Sequence, residues 1–223
     1  MTPVRAVLLD ALGTLVELQP PAPRLQRLLR ESGIEVTEEQ AGRGFAAEIA
    51  YYLDHHLEGS DRERLERLRD RCAEEMRRAL GVPELDHAAA RRAMLGALEF
   101  TPYADVLPAL GELRERGLTL VIASNWDCSL PDWLRPTGIL ALVDGVVTSA
   151  EVGAGKPDPR VFERALQVAG AEPAEALHVG DKLDNDLEGA AAAGVRGVLV
   201  QREGEPPPGV EAIASLRELS ALL

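Results

Sequence analysis

The chain has 223 residues, 46% of them hydrophobic, which suffices for one sizeable core or a core with a smaller insert. Its formal net charge of −13 argues against a nucleic-acid partner, whose phosphates demand basic surface, but admits a small phosphate compound where a metal supplies local positive charge. No apolar run approaches the ~20 residues needed to span a bilayer, and no basic segment followed by an apolar stretch opens the chain, so a cytoplasmic protein without membrane association is expected.

Residues 4–9 read as a buried strand that ends on an acid, Asp10. Pro20, Pro21 and Pro23 then break the chain. From 24 to 97 the pattern is helical with no strand. Within it, "DRERLERLRDRCAEEMRRAL" (61–80) sets Leu65, Leu68, Cys72, Met76 and Leu80 on one stripe, with charges around the rest of the helix. After Phe100-Thr101-Pro102 the texture changes. A helix over 103–116 is stopped by Gly117. Strand 118–124, a short helix 127–135 and strand 142–149 follow. Helix 159–169, strand 176–180, helix 183–193, strand 196–200 and a closing helix 211–222 complete the chain, with "EGEPPPG" (203–209) as a surface loop.

Strands alternating with helices mean right-handed βαβ units and a parallel sheet. The expected architecture is an α/β protein, a Rossmann-like three-layer α/β/α core built from residues 1–19 and 98–223. An all-helical cap, 20–97, interrupts it after the first strand.

In such a sheet, ligands bind beyond the carboxyl ends of the strands. The first strand ends at Asp10 and the second at Ser124-Asn125. The third leads into "GAGKPDP" with Lys156, and the fourth into "GDKLDND" with Asp181 and Asp186. Asp10, Asp181 and Asp186 make a concentrated negative site that calls for a hard divalent cation, and oxygen ligands suit Mg²⁺. Lys156 can neutralise the remaining charge and hold a substrate anion, while Ser124 offers a hydroxyl. Asp10, beside metal and lysine, fits a carboxylate nucleophile. Of the 24 basic residues only Lys156 and Lys182 are lysines, and both fall in these loops. Singly, such residues are often caps or turn formers; their order and strand-end placement carry the signal.

These motifs resemble those of the haloacid dehalogenase superfamily: "LLDALGTL" its first, "VIASN" its second, "GAGKPDPRVF" its third and "HVGDKLDNDLEGAAAAG" its fourth. The likeness covers the whole core, is closest to the phosphatase-like branch, and places the helical insert where the family carries a cap. It implies a hydrolase acting on a small phosphorylated metabolite through an aspartyl-phosphate. Asp10 would be nucleophile, with Ser124 and Lys156 binding the phosphoryl oxygens. Asp10, the Leu12 carbonyl and Asp181 would hold Mg²⁺. Asp186 would join that metal site by orienting a bound water, or would orient Lys156. Asn125 is a candidate substrate-loop residue.

Leu12 departs from the pattern, because family phosphatases carry there an acid that protonates the leaving oxygen. Such assistance is worth roughly 10²–10⁴ in rate. Three readings follow. One is a phosphatase that is slow, takes an activated phosphate or finds its proton elsewhere. Another is a 2-haloacid dehalogenase, since halide leaves without a proton, although the metal-type acids of "GDKLDND" speak against it. The third is a catalytically impaired member that binds or regulates. The phosphonate-cleaving branch needs a cap lysine, and 24–97 has none.

Other positions read as structure. Tyr51, Tyr52, His55 and His56 suit packing and surface on an amphipathic helix. His178, mid-strand, reads as a satisfied core histidine. Trp126 is a candidate pocket residue and Trp133 a core residue. Cys72 and Cys128, far apart in the chain, read as reduced thiols, and no base lies near Cys128 in sequence.

Overall fold

The computed structural model describes residues 3–223, so the first two residues of the expected 1–19 segment lie outside it. The chain divides into two compact units, Met1–Glu17 with Thr101–Leu223, and Leu18–Phe100.

The chain begins with β1 (Ala6–Leu9), fully buried and wholly apolar, as a strand covered on both faces must be. A tight loop, 10–15, leads to β2 (Val16–Leu18). The second unit follows. It comprises α1 (Pro21–Glu31), α2 (Glu38–His55), α3 (Arg62–Leu80) and α4 (His87–Ala97), with no strand among residues 24–97. Prolines occupy the first turn of α1, where a missing N–H costs nothing. Thr37, Asp61 and Asp86 cap the other three helices by accepting backbone N–H bonds. The predicted α3 stripe is buried. Leu68, Cys72, Met76 and Leu80 of that stripe join Leu25, Leu29, Phe45 and Met94 in one core.

The chain returns through β3 (Phe100–Pro102), which pairs with β2 as a two-stranded ribbon. Strands of three residues are too short to show an alternation, and the sequence pattern missed both. The remaining elements are α5 (Val106–Glu115), β4 (Thr119–Ser124), α6 (Leu130–Leu134), β5 (Gly145–Thr148), α7 (Ser149–Val152), α8 (Pro159–Ala169), β6 (Ala176–Gly180), α9 (Gly189–Ala192), β7 (Arg196–Val200) and β8 (Ala212–Ile213). The large sheet has the order β5-β4-β1-β6-β7-β8, with every pair parallel. Ala6 and Leu8 of β1 pack with Val121 and Ala123 of β4 against Phe162, Ala165 and Leu166 of α8. Val7 and Leu9 point to the opposite face, and helices on both faces complete the three layers.

Two segments differ from expectation. The closing helix over 211–222 is instead β8 followed by a 3₁₀ turn, Leu216–Ala221. Ser215 starts that turn with a capping box to Glu218, so no helix can run through it. The helix expected over 183–193 opens with a π turn, Leu183–Glu188, before α9. The wider turn leaves Asp186 buried.

Candidate active site

The sheet order reverses direction at β1: β4 lies on one side and β6 on the other. Such a switch point opens a crevice at the carboxyl ends of the strands. Asp10 follows β1 directly, Ser124 closes β4 and Asp181 follows β6, so all three meet at that edge. Asp10 is still anchored to the ladder, its N–H donating to Val179 O at 2.9 Å.

The buried Asp10 carboxylate is bracketed. Its Oδ1 accepts from Ser124 Oγ at 3.1 Å and from Lys156 Nζ at 2.7 Å. Lys156 also donates to Asp186 Oδ1 at 2.5 Å, and its side chain is 2% exposed. Asp186 Oδ1 faces His178 Nε2 at 3.0 Å, and Oδ2 accepts the Lys182 N–H at 2.9 Å. Both of its oxygens are therefore engaged. Gly180 matters here, since a Cβ at that position would collide with the Asp186 carboxyl.

Burial pushes the Asp10 carboxyl up to about 6 against the pull of Lys156, with the Asp186 and Asp181 charges adding to the rise. Burial also works to raise Asp186, but Lys156 and His178 override it and hold Asp186 well below the usual carboxylate range. Lys156 is held above its ordinary value, since Asp10 and Asp186 outweigh the burial that would discharge it. Burial lowers the His178 pKa. The pair Lys156⁺–Asp186⁻ is the fixed charge of the site, and Asp10 is the carboxylate left available for chemistry.

Asp181 is half-buried and pairs with Lys182 Nζ at 3.0 Å. Its carboxyl packs against Gly13, whose φ of +88° suits glycine and whose missing Cβ leaves room for the carboxylate. One carboxylate oxygen each from Asp10, Asp181 and Asp186 lie within 4.8 Å of one another. Three acids converging so closely, with glycine shaping the cradle, fit a hard oxygen-seeking cation. Leu12 sits beside this cluster in the chain, 43% exposed and with a side chain that offers no proton. The loop around it is tied by Gly13 N–H to Val16 O at 2.8 Å and by Leu15 and Val16 N–H to Ala11 O.

Asn125, the candidate substrate-loop residue, bonds to the Lys156 backbone. Its Oδ1 accepts the Lys156 N–H at 2.6 Å and its Nδ2 donates to Lys156 O at 2.9 Å, so the amide clamps the loop that carries the lysine. His178 is a buried core histidine, as expected, but it also touches the site through Asp186. Trp126, the expected pocket residue, is 7% exposed, whereas Trp133 is half-buried and donates from Nε1 to Ser129 Oγ at 3.1 Å. Ser149 accepts the Trp126 N–H and donates to its carbonyl, drawing that residue inward. In the helical unit, His55 stacks on Tyr51 at 4.0 Å with 10° between planes, a packing role. Among the contacts that escaped sequence reasoning are Lys182 to Asp181 and His178 to Asp186. The scarcity of lysine was the one hint for the first.

A profile of haloacid dehalogenase-like hydrolases matches residues 4–194. The chain belongs to this family. A family member from Methanopyrus kandleri, named glyceraldehyde 3-phosphate phosphatase, is 31% identical over 210 residues, covering 89% of this chain and 84% of that protein. Haloacid dehalogenase-like hydrolase domain-containing protein 3 of Mus musculus is 48% identical over 87 residues, but the match spans 39% of this chain and only 35% of that protein. Two solved family structures, each 26% identical, share the fold. A haloacid dehalogenase-family phosphatase from Thermococcus onnurineus has a TM-score of 0.68 and covers 98% of this chain and 97% of its own. An L-2-haloacid dehalogenase has a TM-score of 0.71 and covers 99% of each. Among the described residues no helix is long and apolar enough to cross a membrane.

Proposed function

We propose that this family hydrolase is a Mg²⁺-dependent phosphatase acting in the cytoplasm on a small phosphorylated metabolite. The observation that carries the reading is the Asp10 carboxylate held between the Ser124 hydroxyl and the Lys156 ammonium, with Asp181 in reach of the same point. An oxygen-rich anion entering there meets a hydroxyl donor and a fixed cation. The name of the Methanopyrus kandleri relative points to the same substrate class.

The residues assign themselves as follows. Asp10 attacks phosphorus and the bond to the leaving oxygen breaks, giving an acyl phosphate on Asp10. Water then attacks that phosphorus, releasing phosphate and restoring the carboxylate. Ser124 and Lys156 hold the phosphoryl oxygens and offset their charge. Asp10, Asp181 and the Leu12 carbonyl would hold Mg²⁺, which supplies Lewis-acid charge neutralisation when bound. Asp186 contributes charge to that cluster and fixes Lys156. The helical unit acts as a cap that selects the substrate.

Leu12 supplies no proton, so phosphates with a leaving group that departs as a stable anion are favoured over alkyl esters. The same residue supports a second reading, 2-haloacid dehalogenation, to which the L-2-haloacid dehalogenase structure adds weight. The acids Asp181 and Asp186 favour the phosphate reading.

A screen of alkyl, aryl and acyl phosphates and of 2-haloacids, each with Mg²⁺ and with chelator, decides between them. Metal-dependent phosphate release that is lost in Asp10→Asn is the expected result. Halide release in the presence of chelator would replace this reading with the second.

A further inference from the structure

Arg202 lies two residues beyond β7, on the same carboxyl edge of the sheet as Asp10 and Ser124. It binds two segments far from it in sequence, the loop at Thr14 and the stretch from Tyr103 to Asp105. Its Nη1 donates to both carboxylate oxygens of Asp105 at 3.0 Å, and its Nη2 donates to the Thr14 carbonyl at 2.7 Å. The guanidinium lies over the Tyr103 ring, 3.8 Å from its centroid. Asp105 is buried, and its Oδ2 also accepts from Ser215 Oγ at 2.9 Å and from the Leu216 N–H at 2.8 Å. Tyr103 N–H donates to Leu15 O at 3.2 Å.

Thr14 and Leu15 close the loop that carries Asp10, Leu12 and Gly13. Tyr103 and Asp105 follow β3, where the chain returns from the helical unit. Charge-assisted bonds from one planar fork to a carboxylate and a carbonyl fix direction as well as distance.

We propose that Arg202 is a positioning residue for the nucleophile loop. It holds the Thr14 carbonyl, and so sets the turn from Asp10 to Val16 relative to Asp105 and the end of the chain. It touches none of the reacting atoms. The role rests on the reading of Asp10 as nucleophile, because its catalytic consequence is the placement of that carboxylate.

The test uses the full chain with Arg202→Lys and Arg202→Gln. Lysine keeps a cation beside Asp105 but has no fork to reach Thr14 as well. Amide hydrogen exchange is followed at Gly13, Leu15 and Val16, with urea unfolding as control and p-nitrophenyl phosphate with Mg²⁺ as the kinetic probe. In Arg202→Lys those three amides exchange at least ~10-fold faster while β4 and β6 keep wild-type rates. Its kcat per folded molecule falls on the order of tenfold to a hundredfold with a smaller change in KM, as misplacement of an attacking group produces. Wild-type exchange at the loop amides, or an unchanged kcat per folded molecule alongside lost stability, would overturn the proposal and leave Arg202 a structural staple. Arg202→Gln strips Asp105 of its cation, and if it does not fold, Arg202→Lys carries the test. A wild-type chain silent toward every phosphate ester counts against the phosphatase reading, and the exchange measurement alone then decides the role of Arg202.

Discussion

Asn125 grips Lys156 by its backbone, accepting the N–H at 2.6 Å and donating to the carbonyl at 2.9 Å. The lysine side chain that reaches Asp10 and Asp186 thus has its main chain held as well. Asn125→Ala removes both bonds and leaves the ammonium chemically intact. Its kcat for an aryl phosphate is expected to fall by about 10-fold, within the range that small displacements of catalytic groups cost, while thermal unfolding shifts little. Wild-type kcat in a folded Asn125→Ala protein would show that Lys156 is held by its carboxylate partners alone.

Gly13 and the Asp181 carboxyl pack together at the proposed cation site. Gly13→Ala puts a Cβ where the Asp181 carboxyl sits, on a backbone with φ +88° that alanine resists. Calorimetric titration is expected to show Mg²⁺ affinity weakened at least ~10-fold by Gly13→Ala and by Asp181→Ala, comparable with losses from disturbed ligand shells. Asp186→Asn is expected to weaken Mg²⁺ binding less than Asp181→Ala, since both Asp186 oxygens serve Lys156, His178 and the Lys182 N–H. The reverse ranking would make Asp186 the principal ligand.

Restoring an acid at position 12 tests the proposal about the leaving group. Leu12→Asp is expected to raise kcat/KM for alkyl phosphates more than for aryl phosphates, by up to the ~10² lower bound of general acid catalysis. Repulsion with Asp10 and Asp181 reduces the gain. Asp10→Asn abolishes turnover in both backgrounds. Equal or lower alkyl turnover in a folded, Mg²⁺-binding Leu12→Asp chain would place leucine in a different chemistry.

Glu48 carries a pH dependence of stability in the helical unit. It is 6% exposed, and burial pushes its carboxyl up to about 7 against a weaker pull from Cys72. The folded chain therefore keeps a proton that the unfolded chain releases above 4.5. The Glu48 contribution is full below 4.5 and is lost as pH rises to about 7, a change of at most about 3 kcal/mol. Glu48→Gln stays neutral throughout. Urea unfolding at pH 5 and pH 7.5 should show the variant gaining on wild type as pH rises, and a constant difference would refute the raised pKa.

The strands of the core were legible because a strand covered on both faces must be an unbroken apolar run, as in "VLL" before Asp10 and "LVIAS" before Asn125. The site acids were legible because they stand where those runs stop. What stayed hidden depends on partners distant in the chain. The Asn125 bonds span 31 residues and the Arg202–Asp105 pair spans 97, and no local pattern encodes either. The π turn at Leu183–Glu188 and the edge strand β8 were hidden for another reason. Their residues suit a helix locally, and tertiary demands on Asp186 and on the Ser215 cap override that preference.

The insertion between β2 and β3 also has a consequence for assembly. Asp10 and Ser124, which meet at the sheet edge, are 114 residues apart in the chain. The strand that leads to Asp10 is synthesised well before the β4 neighbour it pairs with. A closing loop of that length costs little extra free energy, about 0.6 kcal/mol per doubling, but contacts so remote in sequence form slowly. Folding of the four-helix insert and pairing of β2 with β3 bring the two ends together and shorten the effective loop. Until that closure, β1 is an apolar strand with both edges open, the kind of transient surface that drives association of nascent chains. Faster folding of the helical unit is therefore expected to shorten the time that β1 waits unpaired.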